Sequence, residues 1–225
     1  RVFFEIDIKG HDVLYVLPSK NPDASNFTAS RFNPALEESA HLRSIFSHVD
    51  NIGHKRAGRA NLYIRGSRAK SALKSIPVNR VFFDEVEEMV QKNIPLAVER
   101  MSGQMDKAIW MVSTPTIDGK GINKYFQQTD QSRFHFKCPS CSRMTELVFP
   151  DCLVIVGEDP NDPRVHESYI KCKECQAKLE HKHKPEIFRN NEWVKSFFNR
   201  EGVGYHINQL YSSTVTPGEF AQSAL

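Results

Sequence analysis

The chain has 225 residues, a formal net charge of +3, and apolar and charged fractions of 40% and 25%. That is enough chain for one large domain, or for a domain carrying a small insert, and the composition is that of an ordinary soluble globular protein. No apolar stretch approaches the roughly 20 residues that a membrane helix needs, which excludes a helical span.

Taken in order, Val2, Phe3 and Ile6 recur at helical spacing, and Arg1-Val2-Phe3-Phe4 reads as the inside of an element that Lys9-Gly10-His11 ends. Val13 to Leu17 is a continuous apolar run between turn signals, the pattern of a buried parallel strand. Phe32, Leu36 and Ala40 share a helical face over 26–40, and Pro34 sets the predicted start near Asn33. Leu62-Tyr63-Ile64 and Val81-Phe82-Phe83 predict two further strands. Ile94 to Met101 predicts a helix stopped by Gly103, Ala108 to Val112 a fourth strand, and Gly121 to Gln128 another helix. Strands alternating with helices imply an α/β fold with a mostly parallel sheet and helices on both faces.

From Phe134 to about Lys184 the composition shifts to cysteines, prolines and short alternating runs. The predicted organisation is a core over 1–133, an insert over 134–184, and a return to the core over 185–225. Thr216-Pro217-Gly218-Glu219 is a capping-box signature with Pro at the first helical position, and it should open a helix barely begun at Leu225. With Arg1 lying inside an element as well, the protein is expected to continue on both sides.

Val81-Phe82-Phe83-Asp84-Glu85 is an apolar strand that delivers two acids at its carboxyl end, where α/β sheets bind ligands. In P-loop ATPases this is the Walker B arrangement. There the first acid, Asp84, holds Mg²⁺, and the second, Glu85, serves as general base for the attacking water. The bland reading is a strand with solvated acids at its end. The strand over Ala108 to Val112 leads into Ser113-Thr114-Pro115-Thr116, hydroxyls expected at the same sheet edge and suited to sensing a nucleotide. No G-x-x-x-x-G-K-[ST] phosphate-cradling loop occurs in the sequence. That loop is expected just before Arg1, and these residues alone are expected not to hydrolyse ATP.

Between Asn51 and Arg80 there are eight basic residues and no acidic one. Lys55, Arg56, Arg59, Arg65, Arg68, Lys70, Lys74 and Arg80 suit DNA backbone or nucleotide phosphate, against the alternative of a solvated basic face. Arg65 and Arg68 sit just past a strand, and either is a candidate arginine finger on a γ-phosphate. Five cysteines are present, and four of them form two C-x-x-C pairs. A secreted disulfide framework would be denser and even in number, so a reducing compartment with a metal site fits better. Cys138, Cys141, Cys172 and Cys175 together predict a closed, structural zinc site of zinc-ribbon type. Cys152 is expected to be a small core residue, and His135, His181 and His183 to lie outside the ligand set.

In order along the chain, Tyr15-Val16-Leu17-Pro18-Ser19, Arg65-Gly66-Ser67, Ala72 to Val78, Phe82-Phe83-Asp84-Glu85-Val86-Glu87, Ser113-Thr114-Pro115-Thr116, Asp130-Gln131, the cysteine pairs and Gly204-Tyr205-His206-Ile207-Asn208 resemble the lambda-type terminase large subunits of tailed phages. The resemblance implies a P-loop ATPase core that couples ATP hydrolysis to pumping double-stranded DNA into a procapsid. It implies a homo-oligomeric ring docked on the portal protein, a small terminase subunit as helper, a following nuclease domain that cuts concatemers, and work in the host cytoplasm. Two other readings share part of the pattern. A superfamily-2-type helicase would share the acidic strand end, and a zinc-ribbon DNA-binding module would share only the cysteines and the positive charge.

Overall fold

The computed structural model describes residues 1–46 and 49–225. Two compact units divide between Lys124 and Tyr125.

The first unit is built on a six-stranded sheet of order β2-β3-β4-β1-β5-β6. Its strands are β1 (Val13–Leu17), β2 (Val49–Asn51), β3 (His54–Ala57), β4 (Ala60–Gly66), β5 (Arg80–Asp84) and β6 (Ala108–Val112). The run β4-β1-β5-β6 is parallel, as the alternation of strands and helices predicts, and β2 and β3 add an antiparallel hairpin at one side. The hairpin lies in the basic stretch. The turn at Gly58, whose φ of +57° suits glycine, then joins β3 to its antiparallel neighbour β4.

Both sheet faces are covered. Val13, Leu17, Leu62, Ile64 and Phe82 pack with Ile6 of α1 (Val2–Asp7), Phe32 of a helix over 22–38 (α2) and Phe46 after α3 (Ala40–Ile45). By alternation Leu14, Val16, Val81 and Phe83 face the other way, and each is at most 1% exposed. Leu73, Val86 and, in α4 (Ile94–Val98), Ile94 and Ala97 are buried as well and lie outside the first cluster.

Helix α2 starts earlier than Pro34 suggests. Ser19 caps its first turn through Asp23, and Pro34 falls inside it, just after a π-type turn over Thr28–Phe32. The wider turn removes the clash that a proline ring makes with the carbonyl four residues back. Gly66, at the end of β4, meets the backbone of Ser19 and Lys20 so closely that a Cβ has no room.

The second unit runs from Tyr125 to Leu225. β7 (Ser132–Lys137) pairs with β8 (Met144–Thr145), β12 (Asn191–Val194) and β13 (Tyr205–His206), and β10 (Tyr169–Lys171) pairs with β9 (Leu153–Val154) and β11 (Lys178–Leu179). After α5 (Gly121–Phe126) and α6 (Lys184–Ile187), the last helix, α7 (Pro217–Ala224), carries the predicted capping box, with Thr216 and Glu219 bonded reciprocally. Gly218 brings α7 against the backbone of Val165 and His166. Composition sets divisions at 133/134 and 184/185. In the structure residues 185–225 lie instead in the same unit as the cysteine pairs, because β12 and β13 are partners of β7 and Ala221 joins the core around Phe136, Leu147 and Ile170.

Candidate functional site

Parallel pairing sets the geometry of the sheet edge. Asp84 at the end of β5 is in register with Val112 at the end of β6, so Ser113 follows directly beside the acids. Asp84 lies on the face of Phe82 and Tyr15. The hydroxyl of Tyr15 donates to Asp84 Oδ2 at 2.6 Å. Burial, then this hydrogen bond, raises the Tyr15 pKa, so the phenol stays a donor. Tyr15 is held by a stack of rings across the sheet, with centroid separations of 4.6 Å to Phe27 and 6.2 Å to Phe82, and Phe82 lies 4.5 Å from Trp110. In sequence Tyr15 reads only as part of a strand. The one signal of a further role is a polar tip inside an otherwise apolar run.

Glu85 is exposed and left-handed, with φ +61° and ψ +52°. A non-glycine residue there carries strain of order 1–2 kcal/mol, and such residues concentrate at functional sites. This turn reverses the chain into a 3₁₀ turn, Val86–Glu88, which brings Glu87 under the loop after β6. Glu87 Oε1 accepts from Thr116 N–H at 2.9 Å and from Thr116 Oγ1 at 2.7 Å, and Oε2 accepts from Ile122 N–H at 2.8 Å. Its own N–H donates to Ser113 Oγ at 3.1 Å. Burial pushes the Glu87 carboxyl up, but the bonds from Thr116 and Ile122 outweigh it and hold the group below the usual carboxylate range. The hydroxyls of Ser113 and Thr116 are therefore both engaged by Glu87, while Thr114 is exposed. In sequence Glu87 is only one more member of the acidic motif.

The basic residues separate by environment. Lys55 is 2% exposed, with Nζ 5.3 Å from the Phe32 ring centroid. Arg80 is buried between Glu5 and Asp106, at 2.8 Å from each. Arg65 is half-buried, donates to the carbonyls of Gly53 and Ile64, and its pKa is lowered by burial. Arg56, Arg59, Arg68, Lys70 and Lys74 are exposed. Of the two finger candidates, Arg65 is committed to the backbone carbonyls of Gly53 and Ile64, and Arg68 is open to solvent.

In the second unit the ligand atoms of Cys138, Cys141, Cys172 and Cys175 all lie within 4.8 Å of one another, an arrangement that can hold a metal ion. Cys138 Sγ and Cys175 Sγ are 3.9 Å apart. A tetrahedral site with Zn–S bonds of about 2.3 Å needs sulfurs about 3.8 Å apart, whereas a disulfide needs about 2.05 Å. The two knuckles repeat one geometry. Cys138 N–H donates to Arg143 O and Ser142 N–H to Cys138 O, and Cys172 N–H donates to Ala177 O and Gln176 N–H to Cys172 O. Ser142 and Gln176, at equivalent positions, have φ of +59° and +61°. Cys152 is buried, accepts from Val148 N–H at 3.3 Å, and lies outside the four.

These features define an α/β domain whose parallel strands end on an acidic, hydroxyl-rich edge, followed by a four-cysteine unit. The chain belongs to the family described as "Phage terminase large subunit gpA, ATPase domain", which matches residues 2–193. Comparison with curated proteins gives no match. Among solved structures, the large terminase ATPase domain of Thermus phage P74-26 is 16% identical with a TM-score of 0.42, over 57% of this chain and 56% of that one. The large terminase of a thermophilic bacteriophage, solved in complex with ADP, is 14% identical with a TM-score of 0.32, over 45% of this chain and 25% of that one. The chain thus spans about half the length of the first and a quarter of the second. Among the described residues no helix is long and apolar enough to cross a membrane.

Proposed function

We propose that this chain is the ATP-hydrolysing motor segment of a DNA-packaging terminase, with a P-loop core and a structural zinc site. The observation that carries this reading is the β5–β6 register, which gathers Asp84, Glu85 and Ser113 at one sheet edge, with Glu85 in a strained left-handed turn.

Asp84 is the residue to hold Mg²⁺. Tyr15 fixes one of its oxygens and leaves the other for a cation. Bound Mg²⁺ would neutralise charge on the transferring phosphoryl group. Glu85, exposed beside it, orients the attacking water and takes its proton. The loop Ser113 to Thr116 responds to loss of the γ-phosphate. Arg68 rather than Arg65 is the finger, because Arg65 is spent on backbone carbonyls. Arg56, Arg59, Lys70 and Lys74 offer exposed charge to double-stranded DNA.

The phosphate-cradling loop is supplied by residues outside this sequence. β6 pairs only with β5 among the described residues, and it exposes 40% of Ile109 and 63% of Val112. An apolar edge strand of this kind calls for another strand beside it. The donor set and spacing of the four cysteines fit zinc, which would cross-link the core of the second unit, since Cys138 and Cys172 are themselves part of it. The whole protein would act as a homo-oligomeric ring on the portal of a procapsid in the host cytoplasm, with a small terminase subunit and a following endonuclease domain.

In the full-length protein Glu85→Gln should retain ATP binding and lose hydrolysis, read by phosphate release. Turnover at the wild-type rate would remove Glu85 from the role.

A further inference from the structure

Glu87 stands two residues beyond the proposed general base, yet it faces protein rather than solvent. Three donors from the segment after β6 converge on its two carboxylate oxygens, and its backbone N–H binds the hydroxyl of Ser113. Glu85 and Glu87 belong to one tight turn, closed by Glu88 N–H on Glu85 O at 3.1 Å. Helix α5 (Gly121–Phe126) starts directly on this carboxylate. Gly121 explains how it comes so near. Its φ is +47°, and a Cβ there would fall inside the Glu87 carboxylate. The chain passes from the first unit into the second within α5.

We propose that Glu87 is a positioning residue, a latch that ties the turn bearing Glu85 to the Ser113–Thr116 loop and to the start of α5, with Gly121 as the space it requires. The inference rests on the reading of this edge as the ATPase site. The latch makes the two arms of the edge move together. A change at Ser113 or Thr116 reaches Glu85 through one side chain, and it reaches α5 through the same carboxylate. Glutamine at this position keeps the shape but replaces one accepting oxygen with an NH₂ facing a backbone or hydroxyl donor, so the latch opens without a cavity.

The test uses the full-length protein with Glu87→Gln, Glu87→Ala, Gly121→Ala, the Glu87→Ala/Gly121→Ala double variant, and Glu85→Gln as the control on the site itself. Steady-state ATP hydrolysis and thermal melting are measured for each. Glu87→Gln should lower kcat about tenfold or more with KM for ATP and the melting temperature little changed, since a misplacement of about 1 Å costs on the order of 10² in rate. Gly121→Ala should lower kcat likewise and also melt lower, because a Cβ at φ +47° is strained whatever it meets. The double variant should lose less than the product of the two single effects, because the added methyl then meets no carboxylate and only the backbone strain at φ +47° remains. Glu87→Gln, being isosteric, decides the matter where the alanine variants fail to fold. Loss of turnover in Glu85→Gln alongside full turnover in Glu87→Gln overturns the latch alone. A kcat loss in Glu87→Gln that tracks a fall in melting temperature, or Gly121→Ala and Glu87→Ala effects that multiply, overturns it too. Undiminished turnover in Glu85→Gln overturns the site reading and the latch with it.

Discussion

Removing Arg80 should destabilise the first unit strongly, through Glu5. Arg80 Nε donates to Glu5 Oε2 at 2.8 Å, and the Glu5 side chain is fully buried. Truncating one partner of a buried pair costs about 3–5 kcal/mol, because the other charge is left without its counterpart. Two facts place Arg80→Met at the lower end. His11 Nδ1 remains 2.9 Å from Glu5 Oε2, and the more exposed Arg1 guanidinium remains 2.7 Å from Glu5 Oε1. The second arm of Arg80 reaches Asp106, which is 70% exposed, and an exposed pair is worth only about 0–1 kcal/mol. A loss of about 3 kcal/mol should lower the melting temperature by on the order of 10 °C. The double variant Glu5→Leu/Arg80→Met should recover most of it, because no buried charge is left. Acid adds a signed check. Burial raises the Glu5 pKa, but hydrogen bonds from His11 and Arg80 bring it below its usual value. A carboxyl lowered in the folded state contributes stability above its unfolded pKa and loses it as pH falls through the folded value. The wild type therefore loses this contribution on acidification, whereas Arg80→Met has less to lose, and the gap between them should narrow. Circular dichroism melts from neutral to acid pH read both. A loss under about 1 kcal/mol at neutral pH, or a gap that widens in acid, would refute the reasoning.

Tyr15→Phe removes a donor to an ionised carboxylate, an interaction worth about 1.5–3 kcal/mol, and keeps the ring stack. Melting should fall by roughly 5–10 °C on that figure. Turnover should fall about tenfold, since each 1.4 kcal/mol lost at the transition state is a factor of ten, and unaltered Mg²⁺-dependence of hydrolysis would count against Asp84 as the cation's holder. Cys172→Ser should lose the zinc released to a chromogenic chelator and loosen the second unit, while Cys152→Ser keeps the metal, because Cys152 lies outside the four clustered sulfurs. Equal zinc content in both variants would dismiss the four-sulfur site.

Strands and helices with local signatures are legible in the amino-acid sequence alone. Val13–Leu17, Arg80–Asp84 and Ala108–Val112 are short apolar runs between turn residues, and α7 announces itself through Thr216, Pro217 and Glu219. These signals are carried by neighbours in the chain, as is the C-x-x-C spacing that makes each knuckle. The start of α2 is not legible in this way, because a π-type turn absorbs Pro34 and that compensation has no mark in the local pattern.

Charge is where the one-dimensional pattern runs out. Lys55, Arg65 and Arg80 look the same in sequence as Arg56, Arg68 and Lys74. The first three are drawn inward by an aromatic ring, by carbonyls and by a buried carboxylate, and the other three stay in water. Asp84, Glu85 and Glu87 likewise form one acidic cluster in the chain, and the fold gives each its own neighbours: Tyr15 to the first, solvent to the second, and Thr116 with Ile122 to the third. Most of these partners lie dozens of residues away in the chain. The identity of a titratable group is set by its side chain, but its role is set by which distant donors and charges the packed sheet brings within about 3 Å of it.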